Sequence, residues 1–342
     1  MSTTPILNIG LDVSKDTIDV AIPKFKRNEV VGYQSKRISN NLKGYALLEK
    51  DIRKQEQAGF EVKVIAETTG IYSFPVMDYC SQKQIHCNEV HAFAIAHFTF
   101  GEGYKNKTDK ADAKAIADYA YALPKKVKRP YVARTPELQE LAMLMALYKQ
   151  IDKVDKGIKG VGHAYDFLED KVTFDFTNAT KALDFTRKKH AKETKEFHKS
   201  LTKYCKDKFE ESYEYLESIP GVGDKLIPFL LNYTHNFTRF DTSREFTSYL
   251  GVVPNQKTSG TSVKYRAKIA DKKSCNSTLR AKLSQSAGTI VNGRASKNKQ
   301  VTALVNRLRD RPFKQKLIAA SRKLATQIHY IGTNKVLYDA KA

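Results

Sequence analysis

ILNIGLDV at 6–13, SKD at 14–16 and TIDVAI at 17–22 are the residues on which the fold turns. Both outer runs are apolar and rich in β-branched side chains, which suit a pleated surface, and a polar triplet parts them. They read as a β-hairpin. Working outward, residues 42–52 carry apolar side chains at helical spacing and EVKVIA at 61–66 reads as a buried strand. Residues 74–82 read as a helix and 83–90 as a further strand. Hairpin, helix and additional strands describe an α/β domain, assigned to residues 1–125.

A basic, proline-bounded connector follows, PKKVKRP at 124–130. Thr135 can cap a helix that has Pro136 in its first position. Leu138, Leu141, Leu144, Tyr148, Ile151 and Val154 then recur at three- and four-residue steps, continued by Ile158, Val161, Tyr165 and Leu168. That spacing is the seam of a long helix meeting another helix. Gly157, Gly160 and Gly162 each weaken it by about 1 kcal/mol against alanine, which predicts a bend or break near residue 160. A second periodic run includes Phe197, Leu201, Tyr204, Phe209, Tyr213 and Leu216. The two runs form either an antiparallel hairpin or an intermolecular coiled coil, and residues 126–217 are assigned as linker and helical coiled coil. From Ser218 the texture changes to glycine turns and short helices such as 243–250, so residues 218–342 are assigned as a third, mostly α-helical domain.

With 342 residues, 41% of them hydrophobic, the chain can bury real cores, which excludes disorder throughout. Its 59 Lys and Arg against 37 Asp and Glu leave a net charge of +22. Residues 256–342 hold 20 of those cations and only three acids, Asp271, Asp310 and Asp339. A polyanion is the natural partner, the alternative being a merely solvated basic face. No run approaches the roughly 20 apolar residues of a membrane span. The opening residues carry no secretory leader, so the chain is expected to act in the cytoplasm. Four scattered cysteines suggest neither zinc nor disulfides, and the eight histidines show no paired metal spacing.

Asp12 closes the first strand and Glu67 follows EVKVIA, so adjacent strand ends could set both carboxylates at one sheet edge. Asp109 and Asp112 lie three apart on a helix starting near Thr108, hence on one face. Taken singly, such residues are more often turn caps and surface decoration. Four converging carboxylates would need cations, and hard oxygen ligands favour Mg²⁺ or Mn²⁺.

In order and surroundings these residues resemble a known family. GLDVSK at 10–15, ETTGIY at 67–72 and KTDKADA at 107–113 are similar to the acidic tetrad of the insertion-sequence-110 transposases and Piv-type DNA invertases. IPGVG at 219–223 resembles that family's turn between two helices; a simple helix-terminating turn would read the same on spacing alone. Phe240, YLGVVP at 249–254, Thr258-Ser259-Gly260 and NSTLR at 276–280 continue the likeness. Between them, AKIADKKSCN at 267–276 is two residues longer than the family pattern and lacks both its glycines.

The resemblance implies a RuvC-like (RNase H-like) first domain whose Asp12, Glu67, Asp109 and Asp112 hold Mg²⁺, with Mn²⁺ a possible substitute. It makes Ser259 the nucleophile of a DNA transposase or recombinase. Gly221, Gly223, Lys225, Gly260 and Arg280 become expected DNA contacts, the turn glycines offering N–H groups to phosphate. Implied partners are donor and target DNA, a structured non-coding guide RNA and further copies of the chain as a dimer or tetramer, nucleoid-associated when on DNA. Two alternatives remain: a metal-dependent endonuclease or junction resolvase that uses water, and an inactive nucleic-acid-binding relic.

Overall fold

The computed structural model describes residues 4–27, 29–68, 70–104, 108–127, 130–168, 171, 177–255, 268–294 and 297–339. Contacts divide the chain into two compact units, Met1–Arg134 and Thr135–Ala342.

The first unit is an α/β domain. β1 (Ile6–Val13), β2 (Thr17–Lys26) and β3 (Glu29–Ser39) form an antiparallel meander, while β4 (Glu61–Glu67) and β5 (His86–Val90) run parallel to β1. The sheet order is β3-β2-β1-β4-β5. The expected hairpin and both later strands are present. β3 was not anticipated, because it is an edge strand whose side chains are mostly exposed and give no clean apolar alternation.

Alternation along β1 sends Leu7, Ile9, Leu11 and Val13 into one core with α1 (Leu42–Gln57) and α2 (Phe74–Gln82). The opposite face lies under α3 (Ala92–Gly101) and α4 (Asp109–Ala122), where Ile65, Val90, Ile95, Ile116 and Tyr119 form a second, smaller core. α3 has an apolar sequence on all sides, so no helical period marks it.

The second unit is helical. α5 (Pro136–Leu168) starts as expected, with the Leu138 N–H donating to Thr135 Oγ1 at 3.4 Å. The predicted break near residue 160 is a correction: α5 continues as one helix through Gly157, Gly160 and Gly162. A glycine penalty of about 1 kcal/mol per residue is a weak bias, and 33 helical residues outvote it. α6 (Thr177–Lys208) returns antiparallel to α5. Tyr204 donates to the Glu137 carbonyl, Tyr148 stacks near Phe197, and His190 reaches the Ile151 carbonyl.

After α7 (Glu210–Glu217), α8 (Ile227–Thr234) and α9 (Ser243–Tyr249), a two-stranded ribbon pairs β6 (Pro254–Asn255) with β7 (Lys268–Ile269). α10 (Ser277–Val291), α11 (Lys299–Arg307) and α12 (Phe313–Asn334) complete the unit. One core joins Leu138, Leu141, Leu201 and Leu216 to Phe229, Phe246, Leu283 and Leu324. The seam changes character along α5: Leu141 is 0% exposed, but Val154 is 52% and Val161 47% exposed. Among the described residues, no helix is long and apolar enough to cross a membrane.

Candidate active site

Asp12 sits on β1 with its Cα paired to that of Asp19 on β2. The parallel register of β1 and β4 ends at Leu11 with Ala66, so the next residues, Asp12 and Glu67, occupy neighbouring strand ends and share a face.

Gly10, two residues before Asp12, explains how a helix reaches that face. A Cβ on Gly10 would lie 2.0 Å from the Ala113 carbonyl oxygen and 2.8 Å from the Ala117 nitrogen. Only glycine lets α4 lie this close, and buried Ala113, Ala117 and Ala120 complete the fit. The N-terminal turn of α4, carrying Asp109 and Asp112, is thereby brought to Asp12. Thr108 caps the helix by accepting from the Ala111 N–H at 3.3 Å, and the two aspartates suit its positive end.

Electrostatics register the gathering. Burial, and then the charges of Asp112, Glu67, Asp109 and Asp19, push the Asp12 carboxyl up to about 6. Glu67, Asp109 and Asp112 are each close enough to oppose ionisation of Asp12. One internal cation offsets part of this repulsion: Arg37 on β3 donates from Nη2 to Asp19 Oδ2 and to Asp109 Oδ2, each at 2.8 Å. These carboxylates, Asp19 foremost, hold its guanidinium above its ordinary value.

Sequence reasoning missed both Asp19 and Arg37. A lone acid inside the apolar run TIDVAI was the available signal, since a buried carboxylate needs a cation. Asn40 also supports the edge. Its Nδ2 donates to the Ser14 carbonyl at 2.8 Å and the Tyr72 carbonyl at 3.1 Å, tying the segment after β1 to the one after β4.

Among the described residues, no group of three His, Cys, Asp or Glu side chains is arranged to hold a metal ion. The donor set still suits a hard cation in kind, being all carboxylate and mutually repelling, as the raised Asp12 registers. To converge on an ion these side chains would have to rotate, and Asp109 would have to leave its ion pair with Arg37.

In the second unit, Gly221 turns at φ +98° in IPGVG, and a Cβ there would press within 2.8 Å of Ile290 Cδ1. Gly223 meets open space and Lys225 is exposed. Arg280 acts locally as a brace: its Nη1 donates to the Ala270 carbonyl at 2.6 Å and the Gly251 carbonyl at 3.3 Å. Asn276 joins it, donating from Nδ2 to the Tyr249 hydroxyl at 2.8 Å. The NSTLR and YLG segments are thus bonded to each other. Ser259 and Gly260 lie outside the described residues.

Residues 9–153 match a DEDD-type transposase family model of the IS110 kind, and residues 213–302 match the transposase model for the IS116/IS110/IS902 family. The chain belongs to this family of transposases, which act in DNA recombination. It is 23% identical over 328 residues to the pilin gene-inverting protein of Moraxella bovis, covering 93% of each chain. The pilin gene-inverting protein of Moraxella lacunata is similar to the same extent.

Proposed function

We propose that this chain cuts and rejoins DNA by divalent-metal-dependent transesterification, with Asp12, Glu67, Asp109 and Asp112 holding Mg²⁺ and Ser259 acting as nucleophile. The observation that carries the reading is geometric: strand register and the seating of α4 on Gly10 bring Asp12, Glu67, Asp109 and Asp112 to one sheet edge, where burial and then the neighbouring carboxylates raise the Asp12 carboxyl. The strand order β3-β2-β1-β4-β5, with only β2 antiparallel to its neighbours, supports a RuvC-like first domain.

A bound divalent cation would stabilise charge on the scissile phosphate and favour the alkoxide of the attacking hydroxyl. Ser259 Oγ gives up its proton and attacks phosphorus, one strand's P–O bond breaks, and the departing DNA oxygen takes up a proton to leave as a hydroxyl. The new serine–phosphate ester keeps the bond energy until another DNA hydroxyl attacks and releases the serine, so no ATP is consumed. The metal site belongs to the first domain, and the serine, with the DNA-facing turn of Gly221, Gly223 and Lys225, to the last. Gly260 and Arg280 would shape or contact the strand beside Ser259. A structured guide RNA would select the sites, and exposed Val154 and Val161 would meet another copy of the chain, in an assembly working in the cytoplasm on the nucleoid. The gene-inverting relatives favour inversion among the recombination outcomes.

The test uses a DNA substrate nicked near the scissile position, in Mg²⁺. Wild-type protein should leave a denaturation-resistant adduct that maps to the peptide containing Ser259. Ser259→Ala should form none, and Asp12→Asn should lose cleavage by at least ~10³-fold while DNA binding persists. Wild-type cleavage and strand transfer by Ser259→Ala would overturn the serine mechanism in favour of activated water. Full activity of Asp12→Asn would overturn the metal site.

A further inference from the structure

A cavity of about 550 Å³ in the helical unit lies between α5, α8 and the start of α10. Its lining holds five lysines against a single aspartate, Asp152. Lys149, Lys153 and Lys156 stand one turn apart along α5, Lys272 comes from the segment before α10, and Lys282 from α10 itself. Asp152 is ion-paired to Lys156.

Lys282 is the unusual member. It is half-buried, and its Nζ lies 5.6 Å from the Tyr148 ring centroid and 5.2 Å from that of Phe229. The Tyr148 hydroxyl at 3.4 Å is its hydrogen-bond partner. Among the described residues, no carboxylate stands within ion-pair distance of it. Ring faces compensate a desolvated ammonium only in part, and burial holds Lys282 below its ordinary value. Ser277 and Thr278, in the first turn of α10, also line the cavity, so two hydroxyls and a positive helix end face the same space. His198 marks how far the positive field extends, being held below its ordinary value by burial, then by Lys282 and by Lys225 of the glycine turn.

We propose that this cavity is a seat for the phosphodiester backbone of a nucleic-acid strand, with Lys149, Lys153 and Lys282 contacting phosphate and Ser277 and Thr278 donating to it. The choice of nucleic acid among polyanions rests on the reading of the chain as a recombinase. The cluster recognises charge and carries no base specificity. Its residues belong to a different compact unit from the carboxylates, so its substitution leaves the acidic residues themselves unchanged.

The experiment measures fluorescence anisotropy of a labelled ~20-nucleotide DNA strand, and of RNA of the same sequence, with the full chain across a salt series. Lys149→Gln/Lys153→Gln alters two exposed side chains and leaves the core intact. It should weaken binding about tenfold near 100 mM salt and lower the salt slope by about 1.5, as two lost contacts require. Adding Lys282→Met, which keeps the rings covered, should lower both further, with circular dichroism confirming the fold. The control Lys188→Gln/Lys192→Gln on α6 should bind as wild type. A loss confined to one probe identifies whether DNA or RNA occupies the seat. Binding of both probes by the Lys149/Lys153 variant within about twofold of wild type, with an unchanged slope, would overturn the proposal. Cleavage assayed in parallel reports on the recombinase reading by itself: intact Mg²⁺-dependent cleavage with no change in binding would break the seat alone.

Discussion

At the ends of β1 and β4, Asp12 lies within the field of Glu67, Asp109, Asp112 and Asp19, whereas beside α10 Lys282 shares its cavity with Lys149, Lys153, Lys156 and Lys272. Both regions crowd like charges beyond what their internal counter-ions offset. They do so by different means. The acidic cluster is placed by backbone: a strand register, and a helix seated on a glycine. The basic cluster hangs from long side chains along helices, where each charge can shift without moving the fold. Substitution in the first region should therefore act steeply and cooperatively, and in the second by roughly equal steps.

The sharpest way to break that contrast is Gly10→Ala. The added Cβ would meet the Ala113 carbonyl oxygen at 2.0 Å, a backbone atom that cannot step aside without displacing α4. A loss of about 3 kcal/mol in denaturant unfolding is expected, together with loss of cleavage. Unchanged stability would mean that α4 is not seated on β1 as described.

Next in size is Leu141→Ala, which empties a fully buried position where α5 enters the core of the helical unit and should lose about 2–3 kcal/mol. Val161→Ala, further along the same seam but 47% exposed, should change stability by about 0.5 kcal/mol or less. If another copy covers the outer stretch, Val154→Glu with Val161→Glu should reduce the mass seen by light scattering while leaving the monomer folded. An unchanged oligomer would place the contact elsewhere.

These residues also show what was legible in the sequence. The hairpin, β4, α1, α2 and the Thr135–Pro136 helix start were readable because each pairs a clean apolar period with a recognisable boundary. β3 and α3 escaped because an edge strand alternates weakly and an all-apolar helix has no face. The carboxylates were selected by order and resemblance, since Asp109 and Asp112 alone resemble any helix start. Gly10 was quoted within GLDVSK, yet its role as the seat of α4 depends on a partner about a hundred residues away, which no local pattern encodes. The Asp19–Arg37 pair is hidden for the same reason, as it joins β2 to β3 across a strand that was not read.

A smaller and opposite effect is expected from Asp12→Asn. The folded carboxyl titrates near 6, above its ordinary value of 3.8, so the native state holds its proton more tightly than the unfolded chain. Stability from this group is full at low pH, falls as pH rises from about 4 to about 6, and stays reduced above. The variant has no charge to lose, so at pH ~8 and without divalent cations it should be more stable than wild type by about 1–2 kcal/mol, allowing for solvent screening. The gap should close below pH ~4, and Mg²⁺ should narrow it by stabilising wild type alone. A variant less stable than wild type at pH ~8 would show that the acids are not mutually repelling.

Asp109→Asn should change stability least, and that is what makes it informative. Its ion pair with Arg37 joins side chains that are 66% and 51% exposed, a geometry in which solvent screening leaves little net stabilisation. The favourable placement at the start of α4 contributes a similar small amount, and relief of repulsion on Asp12 works in the other direction. The net effect should stay within about 0.5 kcal/mol of zero. Arg37→Gln provides the contrast, because it strips the cation from Asp19, whose side chain is only 5% exposed, and should destabilise the metal-free protein more than Asp109→Asn does. If Asp109 is held there for a metal, Asp109→Asn should lose Mg²⁺-dependent cleavage and any Mg²⁺-induced rise in melting temperature while its metal-free melt matches wild type. A metal-free loss as large as that of Arg37→Gln would instead make Asp109 a structural partner of β3, and the acidic cluster would shrink to Asp12, Glu67 and Asp112.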